Sequence, residues 1–140
     1  MYRLIYASKP NVDVSPELMK GIIKTAESNN EKRGVTGILF YNFEYFLQCL
    51  EGSREQVNSI FSRICKDDRH KNVEIILAKD VDARIFGRWN MALSSMTEIN
   101  TYNYFKFFPT AEFNPYLLTD RIAEEFVRSL KQTSTHLSAA

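Results

Sequence analysis

The run Tyr45-Phe46-Leu47-Gln48-Cys49-Leu50-Glu51-Gly52 constrains this chain more than any other stretch. Aromatic and aliphatic residues in a short run closed by glycine read as a β-strand. Side chains alternate along a strand. Phe46, Gln48 and Leu50 therefore share one face, and Tyr45, Leu47 and Cys49 the other. Both sets are apolar apart from the Gln48 amide, and a strand buried on both sides is a central one with a layer packed on each face. A buried amide left without partners costs about 1–3 kcal/mol, so Gln48 needs them. A neighbouring loop or side chain would serve, and so would the polar edge of a ligand.

The flanking segments supply those layers. Tyr2 to Ala7 reads as a first strand, with Tyr2, Leu4 and Tyr6 on one face. Ser8 to Val14 reads as a loop. Ser15-Pro16-Glu17 is a helix start, with Ser as N-cap, Pro at the first helical position and an acid in the positive first turn. Leu18, Met19, Ile22, Ile23 and Ala26 recur at helical spacing. The helix is expected to end near Ser28-Asn29-Asn30, where the two Asn serve either as a cap and turn or as amides for a ligand. Val35 to Tyr41 is a second strand, joined through Asn42-Phe43-Glu44 to the central one as an antiparallel hairpin. Ser53 opens a second helix with Gln56 at capping-box spacing, and Val57, Ile60, Phe61, Ile64 and Cys65 form its expected buried stripe. Lys66 to Lys71 is a charged turn, either solvated or, through Arg69 and His70, able to take a phosphate.

Further along, Val73 to Lys79 is a fourth strand. Asp80 to Arg88 holds a short helical turn, and Trp89 to Leu93 is a short fifth strand with Trp89 and Met91 on one face. Thr101 to Phe108 and Pro115 to Lys131 read as helices, and Gln132 to Ala140 as a frayed tail. Strand, helix, strand, strand, helix, strand is the α+β, ferredoxin-like βαββαβ order, with one further short strand. Right-handed crossovers put both helices on one face of the sheet. The C-terminal helices then cover the other. Residues 1–97 form the main domain, 98–131 a helical extension and 132–140 a flexible tail.

The totals exclude several classes. Eighteen basic residues against 17 acidic ones give a net charge of +1, so neither nucleic acid nor an anionic membrane has an electrostatic handle. Cys49 and Cys65 lie in apolar patterns and read as buried thiols, and two Cys with two scattered His make no metal-ligand set. No secretory signal or membrane-spanning run is visible, so a cytoplasmic location is expected. Phosphate-loop, paired-carboxylate and activated-nucleophile signatures are also missing.

Five segments taken together resemble the BLUF family, blue-light sensors that use FAD. They are Arg3-Leu4-Ile5-Tyr6-Ala7-Ser8; Asn29-Asn30 with Gly34-Val35-Thr36-Gly37-Ile38-Leu39; Phe46 to Gly52; Asp67-Asp68-Arg69-His70; and Phe86-Gly87-Arg88-Trp89-Asn90-Met91. They fall in the family's order from about Tyr2 to Leu93, and the helical extension is similar to that of the short, stand-alone members.

The resemblance implies a non-covalent FAD between the two helices, with FMN or riboflavin as alternatives. It makes Tyr6 the electron and proton donor to the excited flavin and Gln48 the amide between Tyr6 and the ring. Light would reorganise that amide, strengthen a hydrogen bond to the ring carbonyl and shift absorption to the red. By the same resemblance Asn30 anchors the pyrimidine edge, with Asn29 beside it. Arg69 and His70 lie near the ribityl and phosphate side, and for Arg69 a contact with the dimethylbenzene edge or plain surface exposure stays open. Trp89 and Met91 belong to a segment that exchanges between buried and exposed arrangements; Trp89 is a candidate electron donor and Met91 a candidate partner of Gln48. Ile22, Leu39, Phe46 and Ile64 are candidate pocket walls, although core packing explains them equally well. Ala26 stands where many members carry Ser. The implied output is a protein partner bound in a light-dependent way, with a homo-oligomer allowed, and the chain is expected not to be an enzyme. The competing readings are a flavin-dependent redox enzyme and a ferredoxin-like binding module without flavin.

Overall fold

The computed structural model describes residues 1–87, 90–95, 106–108, 110, 112–131 and 135–136. Its elements are β1 (Tyr2–Pro10), α1 (Pro16–Arg33), β2 (Thr36–Tyr41), β3 (Phe46–Gly52), α2 (Arg54–Cys65), β4 (His70–Asp80), β5 (Ala92–Ser95), a 3₁₀ turn (Pro115–Leu117), α3 (Asp120–Leu130) and β6 (Thr135–His136). The strands form one sheet in the order β4-β1-β3-β2-β5-β6. The first four pair antiparallel, while β5 joins β2 in parallel. The βαββαβ core expected from the element order is therefore present, with β3 central and Gly37 beside it. A Cβ at Gly37 would lie 1.9 Å from the Cys49 carbonyl oxygen, so only glycine lets β2 approach β3 this closely.

The sheet separates two cores. Leu4, Tyr6, Leu39, Phe46 and Leu50 pack with Ile22 and Ile23 of α1 and Val57 and Ile60 of α2. On the other face Ile5, Ile38, Phe40, Leu47 and Cys49 pack with Phe113 and with Ala123, Phe126, Val127 and Leu130 of α3. Phe40, Phe113 and Phe126 meet edge to face, with ring centroids 4.9 and 5.2 Å from Phe40, an arrangement that aromatic quadrupoles favour.

Several boundaries differ from the sequence expectation. α1 does not stop at Asn29-Asn30 but runs to Arg33. Gly34, at φ 66°, takes the left-handed capping position, and its N–H reaches the carbonyls of Asn30 and Glu31. Glycine fills that position without the steric cost an Asn would bear, which frees both Asn side chains. β1 extends through the expected loop because Lys9 and Pro10 pair with Lys71 and His70. Residues 80–87 form no helical turn; the loop instead wraps a buried carboxylate, with the Ile85 and Phe86 N–H groups donating to Glu51 at 2.8–2.9 Å.

The expected helix from Pro115 to Lys131 breaks at Leu118, which is extended. The Thr119 side chain then caps a new helix by accepting from the Ile122 N–H. Of the expected Thr101–Phe108 helix, 106–107 are helical and 101–105 lie outside the described residues. Thr135–His136, expected in the tail, pair with β5. The fifth strand begins at Ala92, and Trp89 lies outside the described residues. Cys49 is buried as expected, but Cys65, the last residue of α2, is exposed.

Candidate functional site

Tyr6 and Gln48 are direct cross-strand partners on β1 and β3, on the face that α1 and α2 cover. The Tyr6 hydroxyl donates to Gln48 Oε1. The other end of the amide, Nε2, donates to Met91 Sδ at 3.3 Å. All three residues are buried. A phenol can donate or accept, but a thioether only accepts, so it is Met91 that takes the amide N–H and leaves Gln48 Oε1 to accept from the Tyr6 hydroxyl. Burial pushes the Tyr6 phenol well above its ordinary pKa, helped by the nearby Cys65 and Asp67. Tyr6 is therefore a neutral donor. Phe61 and His70 pack around its ring at 5.4 and 6.3 Å.

Gln48 forms the floor of a cleft between α1 and α2. Ile22, Ala26, Asn29 and Asn30 of α1 line one wall. Ile60, Arg63 and Ile64 of α2 line the other, and Asp67, Arg69 and His70 close the end. Asn30 is buried. Its Nδ2 donates to the Asn90 carbonyl at 2.8 Å, while its Oδ1 has no partner among the described residues. A buried acceptor without a donor costs about 1–3 kcal/mol, and an N–H on a ligand in the cleft would remove that cost. The imide edge of a flavin offers such an N–H, so the residues present fit the group.

At the end of the cleft Arg69 is clamped by Asp67, with Nη2 to Oδ2 at 2.6 Å and Nε to Oδ1 at 3.0 Å. The guanidinium hydrogen bonds hold the Asp67 carboxyl below its ordinary pKa. Arg69 reaches across to α1, where its Nη1 is the atom nearest to a Cβ built on Gly21, at 3.5 Å. It is therefore part of the cleft rather than plain surface. His70 Nδ1 lies 2.9 Å from Ser8 Oγ, and burial lowers its pKa to about 4.

Tyr6, Gln48, Asn30, His70 and Met91 are thus brought together, with Asn29, Ile22, Ile64 and Arg69 on the cleft surface. Leu39 and Phe46 pack in the core beneath it rather than on its walls. Thr25, Ile60, Arg63 and Asp67 also line it, although the sequence reading does not assign them to the site. For two of them the signal was available: Thr25 lies at helical spacing from Ile22 and Asn29 on α1, and Ile60 one turn before Ile64 on α2.

An apolar recess larger than the cleft lies beside the start of α1 and includes Val14, Met19 and Phe43. Of its polar lining residues, Ser15 and Asn42 are committed to the Leu18, Glu44 and Tyr45 N–H groups. Chemistry rather than volume therefore selects the cleft. Among the described residues no group of His, Cys, Asp and Glu is placed to hold a metal ion, and no helix is long and apolar enough to cross a membrane.

A family model described as BLUF, sensors of blue-light using FAD, matches residues 1–92. The chain is 39% identical over 90 residues to the blue light- and temperature-regulated antirepressor BluF of Escherichia coli K12, covering 64% of this chain and 22% of that protein. It is 30% identical over 102 residues to the photoactivated adenylate cyclase subunit beta of Euglena gracilis, covering 71% of this chain and 12% of that one. It thus spans less than a quarter of the length of either relative. Among solved structures, the photo-activated state of BlsA superposes with a TM-score of 0.80 at 34% identity, covering 92% of this chain and 93% of that one.

Proposed function

The chain belongs to the BLUF family of blue-light sensors, and on that premise we propose that it is a blue-light photoreceptor holding FAD without a covalent bond in the cleft between α1 and α2. The observation that carries the reading is the buried Tyr6–Gln48–Met91 relay set directly beneath a cleft with an orphaned acceptor, Asn30 Oδ1. What a bound flavin supplies is absorption of blue light and an oxidising excited state.

The protein's own residues then have separable roles. Asn30 binds the ligand through Oδ1, and Asn29, Arg69 and His70 hold it at the cleft surface, with Ile22 and Ile64 excluding water. Tyr6 keeps its proton at Oη, aimed at Gln48 Oε1, and is the residue able to release it. Gln48 is a neutral amide held at one end by that phenol and at the other by a thioether, a weak acceptor. Loss or movement of the phenol proton therefore leaves the amide free to turn. A turned Gln48 withdraws from Met91, one residue before β5, and so alters the strand that leads toward the C-terminal segment.

The output is protein–protein. A partner that prefers one arrangement shifts the population by no more than its differential binding free energy. The relatives' names, an antirepressor and a cyclase subunit, support regulation of another protein or domain rather than chemistry on a substrate. We read residues 1–97 as the sensor and 98–131 as its cap, and we place the protein in the cytoplasm.

The test is an absorption spectrum in the dark and directly after blue illumination, on the wild type and on Gln48→Leu. A reversible red shift in the wild type, lost in the variant while flavin stays bound, is the expected outcome. An undiminished shift in Gln48→Leu would remove the role assigned to the amide. Bleaching by a reduced nicotinamide, with no response to light, would replace the sensor by a redox enzyme.

A further inference from the structure

Ser8 follows Tyr6 by two residues on β1 and so faces the same side of the sheet. It sits where the β1–β4 register shifts, between Ala7 and Lys9, and such irregularities re-aim side chains. Ser8 is fully buried, and among the described residues its hydroxyl meets one group, His70 Nδ1, at 2.9 Å. A hydroxyl carries one hydrogen, and a buried donor with no acceptor is costly. If His70 carried its proton on Nδ1, the Ser8 hydrogen would have nowhere to go. With the proton on Nε2, the Ser8 O–H donates to a bare Nδ1 and both groups are satisfied. His70 lines the cleft, held edge-on between Tyr6 and Phe46 with ring centroids at 6.3 and 5.1 Å. Its remaining nitrogen has no protein partner among the described residues.

We propose that Ser8 is a positioning residue that locks His70 in the Nε2–H tautomer, so that His70 meets the cleft ligand as an obligate hydrogen-bond donor. The cleft then presents complementary fixed groups: an acceptor at Asn30 Oδ1, which has no donor, and a donor at His70 Nε2. The ligand class that fits carries both an N–H and an acceptor oxygen or nitrogen. A purely apolar molecule leaves both groups unsatisfied, and one offering donors only leaves His70 Nε2 without an acceptor. The tautomer follows from Ser8 and His70 alone, and the inference rests on the flavin reading only for the name of the ligand.

Nitrogen-15 NMR of the imidazole rings tests it, on the full chain as purified in the dark at neutral pH. The chain has two histidines, and loss of one set of signals in His70→Gln assigns the other set to His136. The expected result is an unprotonated Nδ1 and a protonated Nε2 for His70 in the wild type. In Ser8→Ala both resonances should move toward the tautomer average, and Ser8→Thr, which keeps the hydroxyl, should restore the wild-type values. A protonated Nδ1, an averaged pair in the wild type, or a Ser8→Ala spectrum identical to the wild type would overturn the proposal. The outcome is independent of photochemistry. A protein without a light-induced shift but with the locked tautomer would lose the photoreceptor reading and keep this one.

Discussion

Gln48 and Glu51 lie three residues apart on β3 and on opposite faces of the sheet, and their surroundings differ in kind. Gln48 faces α1 and α2, and its own partners are neutral: a phenol and a thioether. Its bonds are few, and one of them is a weak contact with sulfur. Glu51 faces the α3 side as a fully buried charge. Its oxygens accept from Arg3 Nε at 2.8 Å and from the Ile85 and Phe86 N–H groups. Arg3 continues to Glu124 of α3 at 2.5 Å and to the Ala83 carbonyl at 3.1 Å, and Glu124 also holds Lys79. Buried charges are tolerated only when their hydrogen-bonding capacity is filled, and a filled set has one arrangement. Neutral groups with unused capacity have several arrangements of similar energy. The α1/α2 face is therefore the one able to rearrange, and the α3 face is the rigid backing against which a rearrangement registers.

The largest expected effect breaks the backing. Glu51→Ala leaves Arg3 buried and short of its main partner and strands two backbone N–H groups, and it should cost about 3–5 kcal/mol in urea unfolding. A loss below about 1 kcal/mol would mean that the two faces do not differ as described.

Next comes the pH dependence of the cleft face. The His70 pKa falls from 6.5 to about 4 on folding, chiefly through burial. Above pH 6.5 the ring is neutral in both states and has no effect. As the pH drops from 6.5 to 4 the unfolded chain gains a proton that the folded one refuses, so stability is lost across that window. The loss reaches about 3 kcal/mol at most, at 1.36 kcal/mol per pH unit. Stability curves of the wild type and His70→Gln should diverge there and run parallel above it; parallel curves throughout would place the ring in solvent.

The cysteines offer the same substitution in two settings. Cys49→Ser puts a hydroxyl into the apolar α3-side core and should cost about 1–3 kcal/mol, whereas Cys65→Ser on the exposed end of α2 should stay within about 0.5 kcal/mol. Equal effects, read by denaturation, would contradict the burial assigned to them. Asn30→Ala is also small in stability. It loses the bond to the Asn90 carbonyl but also removes an unpartnered acceptor, so flavin-free stability should change by less than about 1 kcal/mol. Flavin retention, measured by dilution, should weaken about tenfold. Unchanged retention would exclude Asn30 as a ligand.

Much of the sensing face was legible because it is written in local spacing. Alternation on β1 and β3 put Tyr6 and Gln48 on one side, and helical spacing put Ile22 and Ile64 on the buried stripes of their helices; the resemblance added that these stripes meet a ligand. The backing was not legible. Arg3 and Glu51 are separated by 48 positions, and Arg3 and Glu124 by 121. A charged residue inside a strand motif gives no local sign of its partner. Asn30 was readable as a cap or a ligand amide, and only the left-handed Gly34 resolved that the side chain is free of capping.

By itself, then, the sequence determined what short-range sterics and periodicity determine: the order of strands and helices, their caps at Ser15 and Ser53, which strand is central, and which side chains share a face. The tertiary structure decided which groups are satisfied and which are left over. Met91 as the partner of the Gln48 amide, Ser8 as the partner of His70, the orphaned Asn30 oxygen and the exposure of Cys65 all depend on distances between segments far apart in the chain. Hydrogen bonding is fixed by the position of atoms to within a few tenths of an ångström, a precision that residue spacing does not carry and packing does.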